Sequence, residues 1–252
     1  MSELLVESVG AIRILTLNRP DKRNALNDGL VADVKAALTT ADKDDSLRAV
    51  VIRGAGKDFC SGADLSALMK IAGASYEQNL DDAKSLADLF AMPRKMKVPV
   101  IAAVHGRALA GGCGLATACD IVLSTQTAVL GYPEVKIGFV PAIVTAFLRR
   151  NVSEKRAFEL LTRGFEFTAQ EANHLGLINR IYPEEAFDTA VIEYASAYTK
   201  LSASAVQLTK HLLYQMDNVG FENSISLGAK ANAEARMTED CQKGIARFLD
   251  KS

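Results

Sequence analysis

The 252-residue sequence contains no apolar run of the roughly 18 to 20 residues that a membrane span requires. Its opening, "MSELLVESVG", has no basic stretch ahead of a long apolar core and does not read as a secretory signal. Neither sign of charge is in excess, with 29 Lys and Arg against 30 Asp and Glu, so nothing global points to nucleic acid or an anionic membrane as partner. Histidine is scarce: three residues in no ligand-like spacing argue against a metal site. Cys60, Cys113, Cys119 and Cys241 form no CxxC pair, and two of them sit among Gly and Ala. Reduced thiols and a cytoplasmic location are the expectation. Internal repeats and low-complexity linkers are also missing.

What is present alternates between strand and helix patterns. "LLVESVG" and "AIRILTLN" form an expected hairpin around Gly10, and residues 27 to 42 carry apolar side chains at helical spacing. "RAVVIRG", "VPVIAAV", "DIVLS" and "AVLG" read as buried strands. A polar, mobile stretch at 72 to 80 is expected to lead into the helix "NLDDAKSLADLFAM", which Pro93 kinks or ends. After "GLINRIYP", a short strand before Pro183, the pattern is helical to the end. Strand, glycine turn and helix recurring through two thirds of the chain imply an α/β core with a helical C-terminal appendage.

The glycines of "RALAGGCGLATACD", residues 107 to 120, match neither phosphate-binding motif. Counting G-x-G-x-x-G from Gly112 reaches Thr117 at the third glycine, and the P-loop Lys is absent after Gly111. Two readings remain: close helix–sheet packing, or backbone amides presented at a helix N-terminus. A second turn of similar kind, "FCSGADL", also follows a buried strand. Two converging amide-presenting turns could make a two-donor hole for a developing oxyanion.

Taken in order, "NRPDKRNAL", "VVIRGAGKDFCSGADL", "VPVIAAVHGRALAGGCGLATACDIVLST", "GYPEVKIGFVPA", "TRGFEFTAQEANHLGLINRIYP" and the "ARFLDK" ending resemble the crotonase, or enoyl-CoA hydratase/isomerase, superfamily across nearly the whole chain. The resemblance implies a crotonase-like α/β spiral of β-β-α units over residues 1 to 190. A helical C-terminal region, 191 to 252, would serve trimerisation and the CoA pocket. It also implies an acyl-CoA thioester substrate, no cofactor beyond the coenzyme A of that substrate, and a homotrimer or dimer of trimers.

By the same resemblance, the N–H groups of Ala63 and Gly111 form the oxyanion hole and Glu134 is the catalytic carboxylate. Lys22, Arg23, Ala25, Ser61, Asp64, Leu65, Phe248 and Lys251 belong to the substrate and CoA site. Asp64 suits the turn better than the chemistry, Asp120 is expected to tie down backbone amides, and Tyr132 is a candidate donor into the pocket. His105 reads as a core-edge residue. Burial beside apolar sequence should raise the pKa of Glu134. The sequence departs from the family at Gly114, where hydratases carry a second glutamate. Hydration of a 2-enoyl-CoA with one Glu is the leading expectation. Isomerisation of 3-enoyl-CoA, other reactions of the fold, and a catalytically weak acyl-CoA-binding protein stand as alternatives.

Overall fold

The computed structural model describes residues 2–64, 69–70 and 72–250. The hairpin forms as expected: β1 (Leu4–Val9) and β2 (Ile12–Leu17) pair antiparallel. Parallel strands β3 (Ala49–Gly54), β4 (Val100–Val104), β6 (Ile121–Thr125) and β9 (Arg180–Tyr182) extend the sheet in the order β1-β2-β3-β4-β6-β9. β4 and β6 are buried throughout because both sheet faces are covered. Alternation splits β3 between two cores: Val50 and Ile52 face one, Ala49 and Val51 the other.

A second, three-stranded sheet holds β5 (Arg107–Leu109), β7 (Val129–Gly131) and β8 (Glu166–Thr168). Sequence reading did not find β5 and β8: three residues carry no periodicity, and neither lies in an apolar run like those that marked β7 and β9.

Helix α1 (Asp28–Asp42) is capped by the Asn27 side chain, which accepts from Leu30 N at 2.7 Å. Helix α2 (Tyr76–Lys95) corrects the expectation at both ends. Ser75 and Gln78 form a reciprocal capping box, so the polar residues from 76 onward are the helix's first turns. Pro93 does not end it, because it sits in the last turn and forfeits a single N–H bond; Met96 N still donates to Met92 O at 3.2 Å. Helix α3 (Gly111–Ala118) starts in the glycine run, followed by α4 (Ala142–Asn151), α5 (Glu154–Arg163) and α6 (Ala169–His174). Beyond β9 the described residues hold helices alone: α7 (Phe187–Ser196), α8 (Ala203–Gln215), α9 (Phe221–Met237) and α10 (Glu239–Leu249), with short 3-10 turns between. This is the expected α/β core of β-β-α units followed by a helical region. Among the described residues no helix is long and apolar enough to cross a membrane.

Asp120 fastens the helical region to the sheet. Its Oδ2 accepts from Val100 N at 2.6 Å, as expected of an amide-binding acid, and also pairs with Lys210 Nζ of α8 at 2.6 Å. Tyr214 donates to its Oδ1 at 2.7 Å. Burial pushes the Lys210 pKa down despite that partner. Removing one member of a buried pair strands the other. Lys210→Met is therefore expected to lower unfolding free energy by about 3 kcal/mol. Asp120→Asn/Lys210→Met should recover part of it, both read by urea denaturation.

Candidate functional site

Three segments lie side by side and leave the same edge of the small sheet. Leu109 of β5 pairs in parallel with Gly131 of β7, and Cys60 forms a parallel bridge to Ala108. Because all three run the same way, the turns beyond Cys60, Leu109 and Gly131 emerge together. The ends of parallel strands are the usual place for a ligand in such folds.

The first two turns touch. A β-carbon on Gly62, whose φ is +95°, would lie 2.8 Å from Ala110 Cβ and 3.2 Å from Gly111 N. A β-carbon on Gly112 would lie 2.1 Å from the Cys60 carbonyl oxygen, so only glycine lets α3 sit down on this segment. Ala110, just ahead of α3, holds φ +49° in the left-handed region, a strain of about 1–3 kcal/mol. Its N–H donates to Gly131 O at 2.8 Å, which ties the glycine turn to the third segment.

Ala63 and Gly111 each present a backbone N–H. On the Leu26–Ala63 bridge, Leu26 N donates to Gly62 O at 2.7 Å and Asp64 N to Leu26 O at 2.9 Å. Those bonds use the groups on either side of the Ala63 N–H. Gly111 is the first residue of α3, where a helix leaves its N–H groups without internal partners. Among the described residues neither N–H has an acceptor. Two such donors beside a helix N-terminus can hold a developing oxyanion.

Glu134 lies in a 3-10 turn (Pro133–Ile137) directly after β7. Its Oε2 is buried with no hydrogen-bond partner, and burial raises its pKa above the ordinary value of 4.5. A carboxylate with one unpartnered oxygen in a water-poor place is suited to proton transfer. Tyr132 does not reach the pocket: it is fully buried, and its hydroxyl lies 2.7 Å from Thr117 Oγ1. The Cys113 thiol beside it is pushed up to about 12 by burial. All four cysteines are unpaired.

The N-terminal loop is fastened to the first turn. Ser61 N donates to Arg23 O at 3.0 Å, and Arg19 pairs with Asp64 at 2.7 Å. Asp64 thus has a structural partner at hand. Lys22 and Arg23 are exposed on this loop, and Ala25 is buried beneath it. Asn24, which sequence reading did not single out, is wholly buried. Its side-chain amide donates to Ala55 O at 2.9 Å and Asp58 O at 2.7 Å, and φ is +53°. A lone Asn in a charged loop gave no signal of that burial.

The remaining residues divide as follows. Leu65 and Lys251 lie outside the described residues. Phe248 is exposed on α10, which packs on α8 and α9. His105 Nε2 lies 3.1 Å from Gly56 O. It borders a separate cavity of about 490 Å³ lined also by Arg53, Glu184 and Asp188. Among the described residues no cluster of His, Cys, Asp and Glu could hold a metal. At Gly114 a β-carbon would lie 2.8 Å from Phe90 Cε2, so the ring of Phe90 occupies the space a side chain there would enter.

The packing assigns different costs to adjacent glycines. Gly112→Ala is expected to lose roughly 2 kcal/mol or more of stability, because the new methyl meets backbone. Gly111→Ala meets only Leu26 Cδ1 at 3.7 Å and Gly62 Cα at 3.8 Å, and should hold stability or gain up to ~1 kcal/mol. Thermal melts of the two variants check this.

Comparison with known proteins gives a consistent answer. The family model described as enoyl-CoA hydratase/isomerase matches residues 7–252. The chain is 34% identical over 252 residues to the 2,3-dehydroadipyl-CoA hydratase of Escherichia coli (strain K12), covering 100% of this chain and 97% of that protein. The crystal structure of an enoyl-CoA hydratase from Mycobacterium smegmatis superposes with a TM-score of 0.94 at 32% identity, over 99% of this chain and 96% of that one. That of an enoyl-CoA hydratase from Bacillus anthracis gives a TM-score of 0.92 at 29% identity, over 99% and 96%. With two amide-presenting turns and a desolvated Glu134 at one sheet edge, and with this likeness over its whole length, the chain belongs to the enoyl-CoA hydratase/isomerase family.

Proposed function

We propose that the protein hydrates a 2-enoyl-CoA thioester with a single carboxylate. The observation that supports the reading is that two N–H groups without acceptors and a glutamate with a buried, unpartnered oxygen lie in the turns that follow three parallel segments of one sheet. The N–H groups of Ala63 and Gly111 hold the thioester oxygen. Glu134, as its carboxylate, takes a proton from water while the water oxygen bonds to C3. The C2–C3 π electrons move toward the thioester, and negative charge collects on the oxygen between the two amides. Protonated Glu134 then delivers its proton to C2, and the thioester carbonyl re-forms. Water has been added across the double bond, and the carboxylate is regenerated.

Lys22 and Arg23 are the proposed partners of the CoA phosphates, and Ala25, Ser61, Asp64 and Leu65 are the proposed residues along the rest of the substrate. Phe248 of the last helix and Lys251, by the family resemblance, are the proposed remainder of the CoA site. A homotrimer or dimer of trimers fits the exposed apolar side chains of the C-terminal helices, Phe221, Ile225, Met237, Phe248 and Leu249. Isomerisation of a 3-enoyl-CoA is the second reading, and it is favoured by the absence of a second carboxylate at Gly114.

Glu134→Gln tests the assignment. Turnover should fall by about 10²- to 10⁴-fold, the range for a lost proton-transfer group, while CoA-ester binding stays near wild type. Stability should not fall. Burial raises the folded carboxyl's pKa, so ionising it costs stability as pH rises past 4.5, and the amide removes that cost at pH 7. The wild-type pH–rate profile should lose activity on the acid side at a pKa above 4.5, because the ionised form is the base. A variant that keeps more than about a tenth of wild-type turnover contradicts the role.

A further inference from the structure

Gly114 and Phe90 form a complementary pair one helical turn from Gly111. A β-carbon on Gly114 would stand 2.8 Å from Phe90 Cε2, 3.2 Å from Phe90 Cζ and 3.5 Å from Val144 Cβ. Phe90, on α2, is 1% exposed. Its ring meets Phe147 of α4 edge-on, with centroids 6.3 Å apart at 78°. Helical β-carbons tilt toward the helix N-terminus, and residues three apart share a face. The space at Gly114 therefore opens toward Gly111 and its free N–H, and the tip of the Phe90 ring fills it.

Few groups nearby could carry a second proton. The Cys113 thiol, at about 12, stays protonated at neutral pH. The Tyr132 hydroxyl is buried against Thr117, and burial raises its pKa too. Hydrocarbon thus stands at Gly114, and among the described residues Glu134 is the titratable group left to act on the other side.

We infer that Phe90 is a specificity-determining residue. By filling the space at Gly114 it excludes a second water-holding group from that side of the acyl chain, and so limits how far water addition by Glu134 outruns its transfer of a proton between two substrate carbons. The inference rests on the acyl-CoA reading above. For a 3-enoyl-CoA, Glu134 takes a proton from C2, and the C–H electron pair spreads into a dienolate whose charge rests on the thioester oxygen. The protonated carboxyl then gives that proton to C4. The double bond ends between C2 and C3, and nothing enters or leaves. Hydration needs an ordered water as well, and the Phe90 ring offers it no hydrogen-bond partner.

The test compares crotonyl-CoA hydration with 3-hexenoyl-CoA isomerisation in wild type, Phe90→Leu, Phe90→Ala, Gly114→Glu and Phe90→Ala/Gly114→Glu, with circular dichroism and thermal melts on each. The ratio of isomerisation to hydration should fall by about tenfold or more in Phe90→Ala and by less in Phe90→Leu. Gly114→Glu alone should melt earlier and lose both activities. Adding Phe90→Ala should restore the melt and raise hydration above either single variant. Should Phe90→Ala fail to fold, Phe90→Leu carries the ratio test. A ratio unchanged within about twofold in the folded Phe90 variants, or a double variant no better than the singles, overturns this inference alone. Wild-type turnover of neither substrate overturns the acyl-CoA reading and this inference with it.

Discussion

The approach of α3 to the Cys60 carbonyl, allowed by Gly112 and by nothing larger, organises the rest of the site. With a side chain at 112 the helix would have to lift from the segment 59–62 and carry the Gly111 N–H away from Ala63. The strained Ala110 is held in its unusual conformation by the same contact and by its bond to Gly131 O. That last bond passes the constraint on to β7, and so to the turn that carries Glu134. The positions of donors and carboxylate are therefore set by backbone packing, which needs no rearrangement when charge develops on a substrate.

Electrostatics follow from that packing. Glu134 Oε2 is out of water and unpartnered, which costs folding stability and raises the pKa. The two amides and the N-terminus of α3 supply the opposite partial charge nearby. A carboxylate that takes a proton readily and donors that hold an oxyanion are a matched pair for enolate chemistry. Asp120, at the other end of α3, is by contrast fully engaged, by Val100 N, Lys210 and Tyr214. It anchors β4 and the helical region instead of acting as a second acid.

Much of this was legible in the sequence, for identifiable reasons. The long strands and α1 declare themselves by apolar pattern, and the glycine run 111–114 contains two positions, Gly112 and Gly114, where a side chain would collide with a neighbour. Two features escaped. The three-residue strands β5 and β8 are too short for periodicity and lie in no apolar run like those of β7 and β9, yet β5 aligns the turns that make the site. Long-range partners escaped as well: Lys210 with Asp120, Asn24 with Ala55 and Asp58, and Phe90 with Gly114 are set by the fold and not by local order. Tyr132 shows the converse. Its neighbour Glu134 suggested a pocket donor, but strand alternation at the end of β7 turns the ring into the core, where Thr117 meets it.

The central claim is that two backbone amides polarise a thioester carbonyl, and infrared spectroscopy of a bound, unreactive ester reads this directly. Butyryl-CoA labelled with carbon-13 at the thioester carbonyl has no double bond to hydrate or to shift. Bound at saturation to the wild-type protein, its carbonyl stretch should move below its frequency in water. In Gly111→Val, whose side chain crowds the approach to the amide, the stretch should return toward the water value. A stretch at or above the water frequency in the saturated wild-type complex would contradict the account.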